Sequence, residues 1–269
     1  MLAVCATPIG NLDDVTLRVL AELREADVVL CEDTRHTRVL LDRHGIRARL
    51  LSYHEHNEAA RTAELLPRLE AGERVALVSD AGLPGISDPG ARIVRAALDA
   101  GVPVTVLPGA SAVETALVAS GLVGERYQFL GFLPRGEKAL AALWEELRGW
   151  PWPAVAFESP QRLPATLRSL AAVDASRPAA VCRELTKRFE EVARGSAAEL
   201  AERFAEPPKG EIALVLGPGE EAGVAGVAED DALAAVAELV AAGVPRRRAA
   251  DVVARLTGVA RNRLYRGSL

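Results

Sequence analysis

The chain has 269 residues, 49% of them hydrophobic and 26% charged, with a formal net charge of −5 at pH 7. This is the composition of a globular protein of one to three domains, and no apolar run approaches the roughly 18 residues that a membrane span needs. The cysteines Cys5, Cys31 and Cys182 are odd in number and far apart, which argues against a disulfide framework and for a reducing, cytoplasmic compartment.

Residues 2–6 read as a buried strand rather than a leader, because no basic region precedes them. Thr7-Pro8-Ile9-Gly10-Asn11 is a turn-rich loop. Asp13 or Asp14 is placed to cap a helix to about Arg24, with Leu17, Leu20 and Ala21 on one face. A second strand at 28–31 runs into Glu32-Asp33-Thr34-Arg35-His36, a helix is expected over 37–44, and a short strand over 47–52. His54-Glu55-His56-Asn57-Glu58 then opens a helix with Leu65, Leu66 and Leu69 inward, stopped by Gly72.

The stretch 75–90, VALVSDAGLPGISDPG, is the most informative. Its apolar start reads as a strand, and Ser79 and Asp80 stand where that strand ends. Small residues follow, and Asp88 with Pro89 has the form of a helix N-cap and first turn. A carboxylate at the carboxyl end of a strand, beside bare backbone, suits a small polar ligand. A helix over 89–100 and a strand over 102–106 complete an alternation that predicts a mostly parallel sheet with helices on both faces. The loops after its strands would share one crevice.

After Pro108-Gly109-Ala110-Ser111-Ala112 a helix reaches Ser120, and 121–124 looks like a join to a second α/β domain. Strands are expected there at 127–132, 154–157, 179–183, 191–194 and 211–216, with helices at 137–148 and 160–170. Ser159 has the form of the second helix's cap, and Leu163, Leu167 and Leu170 form its apolar stripe. The division is therefore 1–120, 121–220 and 221–269, with a Gly/Ala/Glu-rich linker over 217–227. The last unit starts near Asp230 and ends in two short helices around Thr257-Gly258, with Ala249, Val252, Val253 and Leu256 on one face. That pattern fits a helix-turn-helix or a packed helical hairpin. From Ala241 to Leu269 there are seven arginines and one acid, Asp251. A basic end on an acidic chain suggests a local anionic partner.

There is no G-x-G-x-x-G and no P-loop, and Gly82-Leu83-Pro84-Gly85 is a poor match to a KH-type GxxG. All four histidines, His36, His44, His54 and His56, lie in one region. Their spacing does not make a metal set, so no metal is expected. They suit instead a polar cluster around a hydroxyl or phosphate, with a general base among them. Capping accounts for Ser159 and Pro160 but not for Glu158 or Arg162. Two domains that each place polar groups at strand ends suggest a site between them.

The motifs TPIGNLDD (7–14), EDTRHT (32–37), SYHEHNE (52–58), VSDAGLPGISDPG (78–90), PGASA (108–112), GFLPR (131–135), FESPQR (157–162) and RELTKRFEE (183–191) stand in that order. Together with the LTGVARNRLYR tail they resemble the ribosomal RNA small-subunit methyltransferase I family, of the tetrapyrrole methylase (class III) fold. The likeness spans nearly the whole chain, with Leu83, Gly85 and Gln161 as small departures. It implies two α/β domains with S-adenosylmethionine between them. It also implies methyl transfer to the ribose 2′-oxygen of a cytidine in the decoding region of 16S rRNA, and a homodimer. The matching cofactor positions are Asp80, Ala81, Gly82, Pro84, Ser111 and Ala112, joined by Phe132, Phe157 and Glu158. His54, Glu55 or His56 is the expected base. Arg35, Arg162, Lys187 and the tail arginines Arg246, Arg247 and Arg248 are the expected RNA contacts, the tail gripping the small ribosomal subunit. Two alternatives stay open on the residues alone: a tetrapyrrole or small-acid substrate on the same fold, and a noncatalytic RNA-binding factor.

Overall fold

The computed structural model describes residues 1–219, 229–257, 259 and 261–267. The first layer alternates β1 (Leu2–Cys5), α1 (Leu17–Glu25), β2 (Val28–Cys31), α2 (Thr34–Arg43), β3 (Leu50–Ser52), α3 (Glu58–Glu70), β4 (Val75–Leu77), α4 (Ala91–Asp99) and β5 (Val104–Leu107). These five strands form an all-parallel sheet in the order β3-β2-β4-β1-β5. Short apolar strands suit a sheet buried on both faces. Leu2 and Val4 of β1 face a core with Leu65 of α3 and Ile93 of α4. Ala3 and Cys5 face the opposite core, with Leu23 of α1 and Leu41 of α2.

Next come α5 (Ala112–Ser120), β6 (Gln128–Phe132), α6 (Glu137–Arg148), β7 (Ala154–Glu158), α7 (Leu163–Val173), β8 (Pro178–Arg183), β9 (Glu191–Ser196), α8 (Ala197–Arg203) and β10 (Ile212–Leu216). The second sheet has the order β6-β7-β10-β8-β9, with β6 and β7 parallel and the other pairs antiparallel. Trp144, Leu163, Leu167 and Leu200, from α6, α7 and α8, cover one face. Val113, Ala116 and Leu117 of α5 cover the other, together with Ile9 from the loop after β1. The first sheet's loops therefore pack directly onto the second sheet.

The last unit comprises α9 (Glu229–Ala241), α10 (Arg246–Thr257) and α11 (Arg261–Gly267). Ala232, Val236, Ala249, Ala250, Val253 and Leu264 form its small core. Three helices pack there, α9 beginning near Asp230 as expected and α10 and α11 forming the expected pair of short helices. Leu256, expected inside, is exposed, and Ala250 takes the inner position. Residues 220–227 of the expected linker and Gly258 of the expected turn lie outside the described residues. Among the described residues no helix is long and apolar enough to cross a membrane.

Local capping differs from the sequence expectation in four places. Asp13 and Asp14 belong to a short 3-10 turn capped by Asn11, and Thr16 caps α1. With that start Leu17 is exposed, and Val19, Leu20 and Leu23 turn inward. Helix α2 begins at Thr34, three residues early, because the Asp33 carboxylate accepts from the Arg35 amide. Ser159 does not cap α7; the cap position is Arg162, and Pro164 occupies the first turn. Asp88 does not cap α4 either, because Gly90 holds that position at φ 143°, a conformation open mainly to glycine. Helix α8 was not expected at all, although Ser196 and Glu199 carry the signature of a capping box and form one.

Candidate functional site

The carboxyl ends of β1, β4 and β5 open toward the second sheet. Two backbone hydrogen bonds fasten the loop after β1 to the loop after β4, Thr7 N to Gly82 O at 2.8 Å and Gly82 N to Thr7 O at 3.1 Å. The Thr7 hydroxyl also donates to Ser79 O at 3.0 Å. These bonds join the two loops into one shelf. Between that shelf and the second sheet lies a cavity of about 350 Å³, within the range of small-molecule sites.

Five of the residues expected at a cofactor line this cavity: Ala81, Ala112, Phe132, Phe157 and Glu158. Phe157 meets Phe129 edge-on at 5.1 Å and Phe132 at 5.5 Å. Phe132 is 66% exposed at the rim. Asp80 lines a smaller adjoining pocket of about 130 Å³, with His36 and Lys187. Gly82, Pro84 and Ser111 are not in the lining of either cavity. Gly82 and Pro84 are buried in the shelf, and the Ser111 hydroxyl bonds the Glu114 carboxylate. Cys182 also lines the larger cavity, and burial pushes its thiol up to about 11, which leaves it a small uncharged wall group.

Glu158 is buried, and both carboxylate oxygens are occupied. Oε1 accepts from the Ser159 amide at 2.6 Å, and Oε2 accepts from the Thr166 hydroxyl at 2.5 Å and Arg162 Nη2 at 3.1 Å. Arg162 Nη2 also donates to the carbonyls of Leu133 and Pro134. This pair therefore ties the ends of β6 and β7 to α7 and fixes the second sheet's wall of the cavity.

At the shelf end the groups are acidic. Asp88 lines the cavity beside Ser87, a non-glycine residue at φ 63°. Burial, then the charge of Glu32, and then Asp80 raise the Asp88 carboxyl to about 6, against the pull of the Ser79 hydroxyl. Burial and then Asp80 also raise Glu32, with His54 opposing. Asp80 Oδ1 accepts from the Asp33 amide at 3.2 Å, and His36 Nδ1 lies 3.8 Å from Asp80 Oδ2. Asp88 is a cavity-lining residue not among the cofactor positions expected from the sequence; its Asp-Pro-Gly context reads as a helix cap, and its place on the glycine-rich loop is the signal that points to the cavity.

His54 stands beside this acidic edge. Its Nε2 is 3.1 Å from Asn57 Nδ2, and its Nδ1 is buried without a hydrogen-bond partner. His56 meets it edge-on at 5.9 Å, and both His56 and Glu55 are exposed. Arg35 extends into solvent while bonded to Asp33 at 2.6 Å. Lys187 is held by Glu184 at 3.0 Å and Glu211 at 2.9 Å. Arg247 and Arg248 are exposed and Arg246 half-buried at the start of α10, away from this cluster in sequence and on their own core. Among the described residues no group of three or more His, Cys, Asp or Glu is placed to hold a metal.

Comparison with known proteins places this geometry in a family. Residues 1–201 match the model of the Tetrapyrrole (Corrin/Porphyrin) Methylases. A ribosomal RNA small subunit methyltransferase I of Mesorhizobium japonicum is 45% identical, over 98% of this chain and 90% of its own length. The protein of the same name from Micromonospora olivasterospora is 46% identical, over 98% of this chain and 85% of its own length. The crystal structure of uroporphyrin-III-C-methyltransferase from Thermus thermophilus has the same fold at 23% identity, with a TM-score of 0.56 over 80% of this chain and 93% of that one. On both the fold and the near-full-length relatives, the chain belongs to the tetrapyrrole methylase family and, within it, to the ribosomal RNA small subunit methyltransferases I.

Proposed function

We propose that this chain transfers a methyl group from S-adenosylmethionine to the ribose 2′-oxygen of a cytidine in the decoding region of 16S rRNA. The observation that carries the reading is the cavity between the sheets, apolar and aromatic along its walls and anionic at its shelf end. It suits a flat, partly apolar ligand that bears a positive centre. The relatives' names supply the RNA. When bound, S-adenosylmethionine supplies an electrophilic methyl group on a sulfonium.

The chain's own residues then have three tasks. Ala81, Ala112, Phe132 and Phe157 bind, with Gly82, Pro84 and Ser111 shaping the loops behind them and Glu158 holding the far wall. Asp80, Glu32 and Asp88 complement the positive charge, which is worth most where water is excluded. His56, with Glu55 and His54 beside it, would take up the proton released from the 2′-oxygen when the methyl group passes to it, the sulfonium S–C bond breaking as the O–C bond forms. The reacting atoms need to be held about 3–3.5 Å apart. Arg35, Lys187 and the exposed edge of Arg162 are the proposed phosphate contacts near the site, and Arg246, Arg247 and Arg248 grip the small subunit more loosely. In this division residues 1–120 supply the shelf, 121–220 the wall and 221–269 the grip. The protein acts as a homodimer in the cytoplasm; the open edge strand β5 and the exposed Val106, Val118 and Val123 are consistent with a second copy packing there.

The test is methyl-labelled S-adenosylmethionine offered with purified small subunits, naked rRNA and a precorrin-type substrate in parallel. Label in the small-subunit rRNA is expected. Label in the tetrapyrrole alone moves the chain to the sister activity, and no transfer with no cofactor binding leaves a noncatalytic RNA-binding factor.

A further inference from the structure

A groove of about 550 Å³ opens beside the cofactor cleft. Its floor is the loop after β1, one wall is Arg43 of α2, and the other is residues 186–188 of the β8–β9 hairpin. It shares Gly10, Leu12 and Lys187 with the pocket beside Asp80, and that pocket shares Ile9, Ala81 and Glu211 with the cofactor cavity. The three spaces adjoin one another along shared walls as one row. His36, Leu40 and Arg43, spaced i, i+4, i+7, lay one face of α2 along it.

The hairpin that forms the far wall is held rigidly. Glu184 and Thr186 both adopt left-handed backbone, at φ 51° and 65°, which non-glycine residues keep only when their surroundings enforce it. The Thr186 amide donates to Glu190 Oε2 at 2.6 Å, the Lys187 amide to Glu184 O at 3.0 Å, and the Asn11 amide to Thr186 Oγ1 at 3.0 Å. At the tip of this fixed loop Phe189 is 65% exposed, and the Arg188 guanidinium lies 5.5 Å from its ring centroid. Phe189 belongs to none of the buried clusters among the described residues. An aromatic face with a guanidinium beside it is a sequence-tolerant platform for a nucleobase. The groove lining carries Arg43, Lys187 and Arg188 against the single acid Asp13. Asp13 pairs with Arg43 at 3.0 Å, and Glu184 and Glu211 take up Lys187, so Arg188 is the cation that faces outward beside the ring.

We infer that this groove holds the single-stranded RNA flanking the acceptor nucleotide, with one base stacked on Phe189 and a phosphate met by Arg188. The inference rests on the proposed RNA methylation and specifies where the acceptor strand lies. A single strand fits better than a duplex, because the pocket leading inward measures only about 130 Å³. A reacting ribose must leave its helix to enter such a space.

The test titrates the full chain with a labelled single-stranded RNA of about 12 nucleotides and with its blunt duplex. It compares the wild type with Phe189→Ala, Phe189→Trp and Arg188→Ala, with S-adenosylhomocysteine affinity and thermal unfolding measured alongside. Phe189→Ala is expected to weaken single-strand binding about tenfold and leave the salt slope unchanged, and Phe189→Trp to restore it. Arg188→Ala should lower the salt slope by about 1. Duplex binding and S-adenosylhomocysteine affinity should be the same in all four proteins. Single-strand binding by Phe189→Ala equal to wild type, or lost in step with the duplex or with stability, overturns the inference. A wild-type chain that methylates small-subunit RNA while Phe189→Ala binds normally sinks this inference alone. A wild-type chain that transfers no methyl to RNA sinks the underlying reading.

Discussion

The Asn11 amide donates to the Thr186 hydroxyl across 3.0 Å, and that bond joins a loop of the first sheet to the hairpin of the second. The neighbouring residue makes the approach feasible. A Cβ on Gly10 would lie 2.5 Å from Lys187 Cγ, 2.8 Å from Thr186 Oγ1 and 2.9 Å from Leu185 O. The last of these is backbone and cannot swing aside. Gly10→Ala should therefore push the two loops apart and destabilise the fold by about 2 kcal/mol. Urea unfolding checks the stability, and calorimetry with S-adenosylhomocysteine should show weakened binding.

Arg162 was expected to meet RNA, and the structure gives it a second task. Its Nη2 satisfies Glu158 and two carbonyls at the cavity wall. Arg162→Ala leaves a buried carboxylate with only Thr166 and the Ser159 amide. That should cost about 2–3 kcal/mol, somewhat less than for a fully buried pair, because the guanidinium is partly exposed. Chemical denaturation measures it. A variant of wild-type stability that has lost only RNA affinity would make Arg162 a phosphate contact and nothing more.

Asp88 sets a pH dependence with a defined sign. Its folded pKa, about 6, lies above the ordinary carboxylate value, so the native state holds the proton more tightly than the unfolded chain. Its contribution to stability is thus fully present below about pH 4 and is lost as the pH rises through 6. Asp88→Asn should be more stable than wild type at pH 8, by about 1–2 kcal/mol after allowance for solvent screening, with the difference gone at pH 4. The same ionisation bears on binding. Above pH 6 the wild type should prefer cationic S-adenosylmethionine over neutral S-adenosylhomocysteine more strongly than it does below, and Asp88→Asn should lose that change. Isothermal titration of both ligands at pH 5 and pH 8 reads it directly.

Asn57 Nδ2 donates to His54 Nε2, so the neutral His54 ring carries its proton on the buried Nδ1 and offers no free lone pair, whereas the His56 ring is exposed. His56→Ala is expected to lower kcat about a hundredfold at saturating RNA, with S-adenosylhomocysteine affinity unchanged. His54→Ala should have the smaller effect. An unchanged rate for either variant removes that residue from the candidate bases, and a parallel loss of cofactor affinity would reduce it to a packing role.

Much of the first sheet was legible because parallel strands buried on both faces appear as short apolar runs closed by polar loops. Val28–Cys31 coincides with its expectation, and Leu2–Cys5 and Val75–Leu77 each end one residue earlier. The convergence of the loops after β1 and β4 followed from the same topology. Cap residues were less legible. Asp88-Pro89 and Ser159-Pro160 both carry cap signatures, yet Gly90 and Arg162 hold the cap positions, since tertiary burial of Asp88 and the hold of Glu158 on its surroundings outweigh local propensity. The structural hold of Glu158 was not legible, because Thr166 is brought to its carboxylate, and Leu133 to its partner Arg162, only by the packing of α7 and β6. Phe189 was passed over for the converse reason. An aromatic residue in a sequence suggests a core, and only the structure places this one outside every buried cluster of the described residues.

Whether the acceptor is a ribose oxygen of small-subunit RNA is read most directly by alkaline digestion of that RNA after incubation with methyl-labelled S-adenosylmethionine. A methylated 2′-oxygen can no longer attack the neighbouring phosphate, so the bond beside it survives alkali. Label is expected in an alkali-resistant dinucleotide whose first nucleoside is cytidine. Label released in mononucleotides, as base methylation would give, or no label in the RNA, would contradict a ribose acceptor.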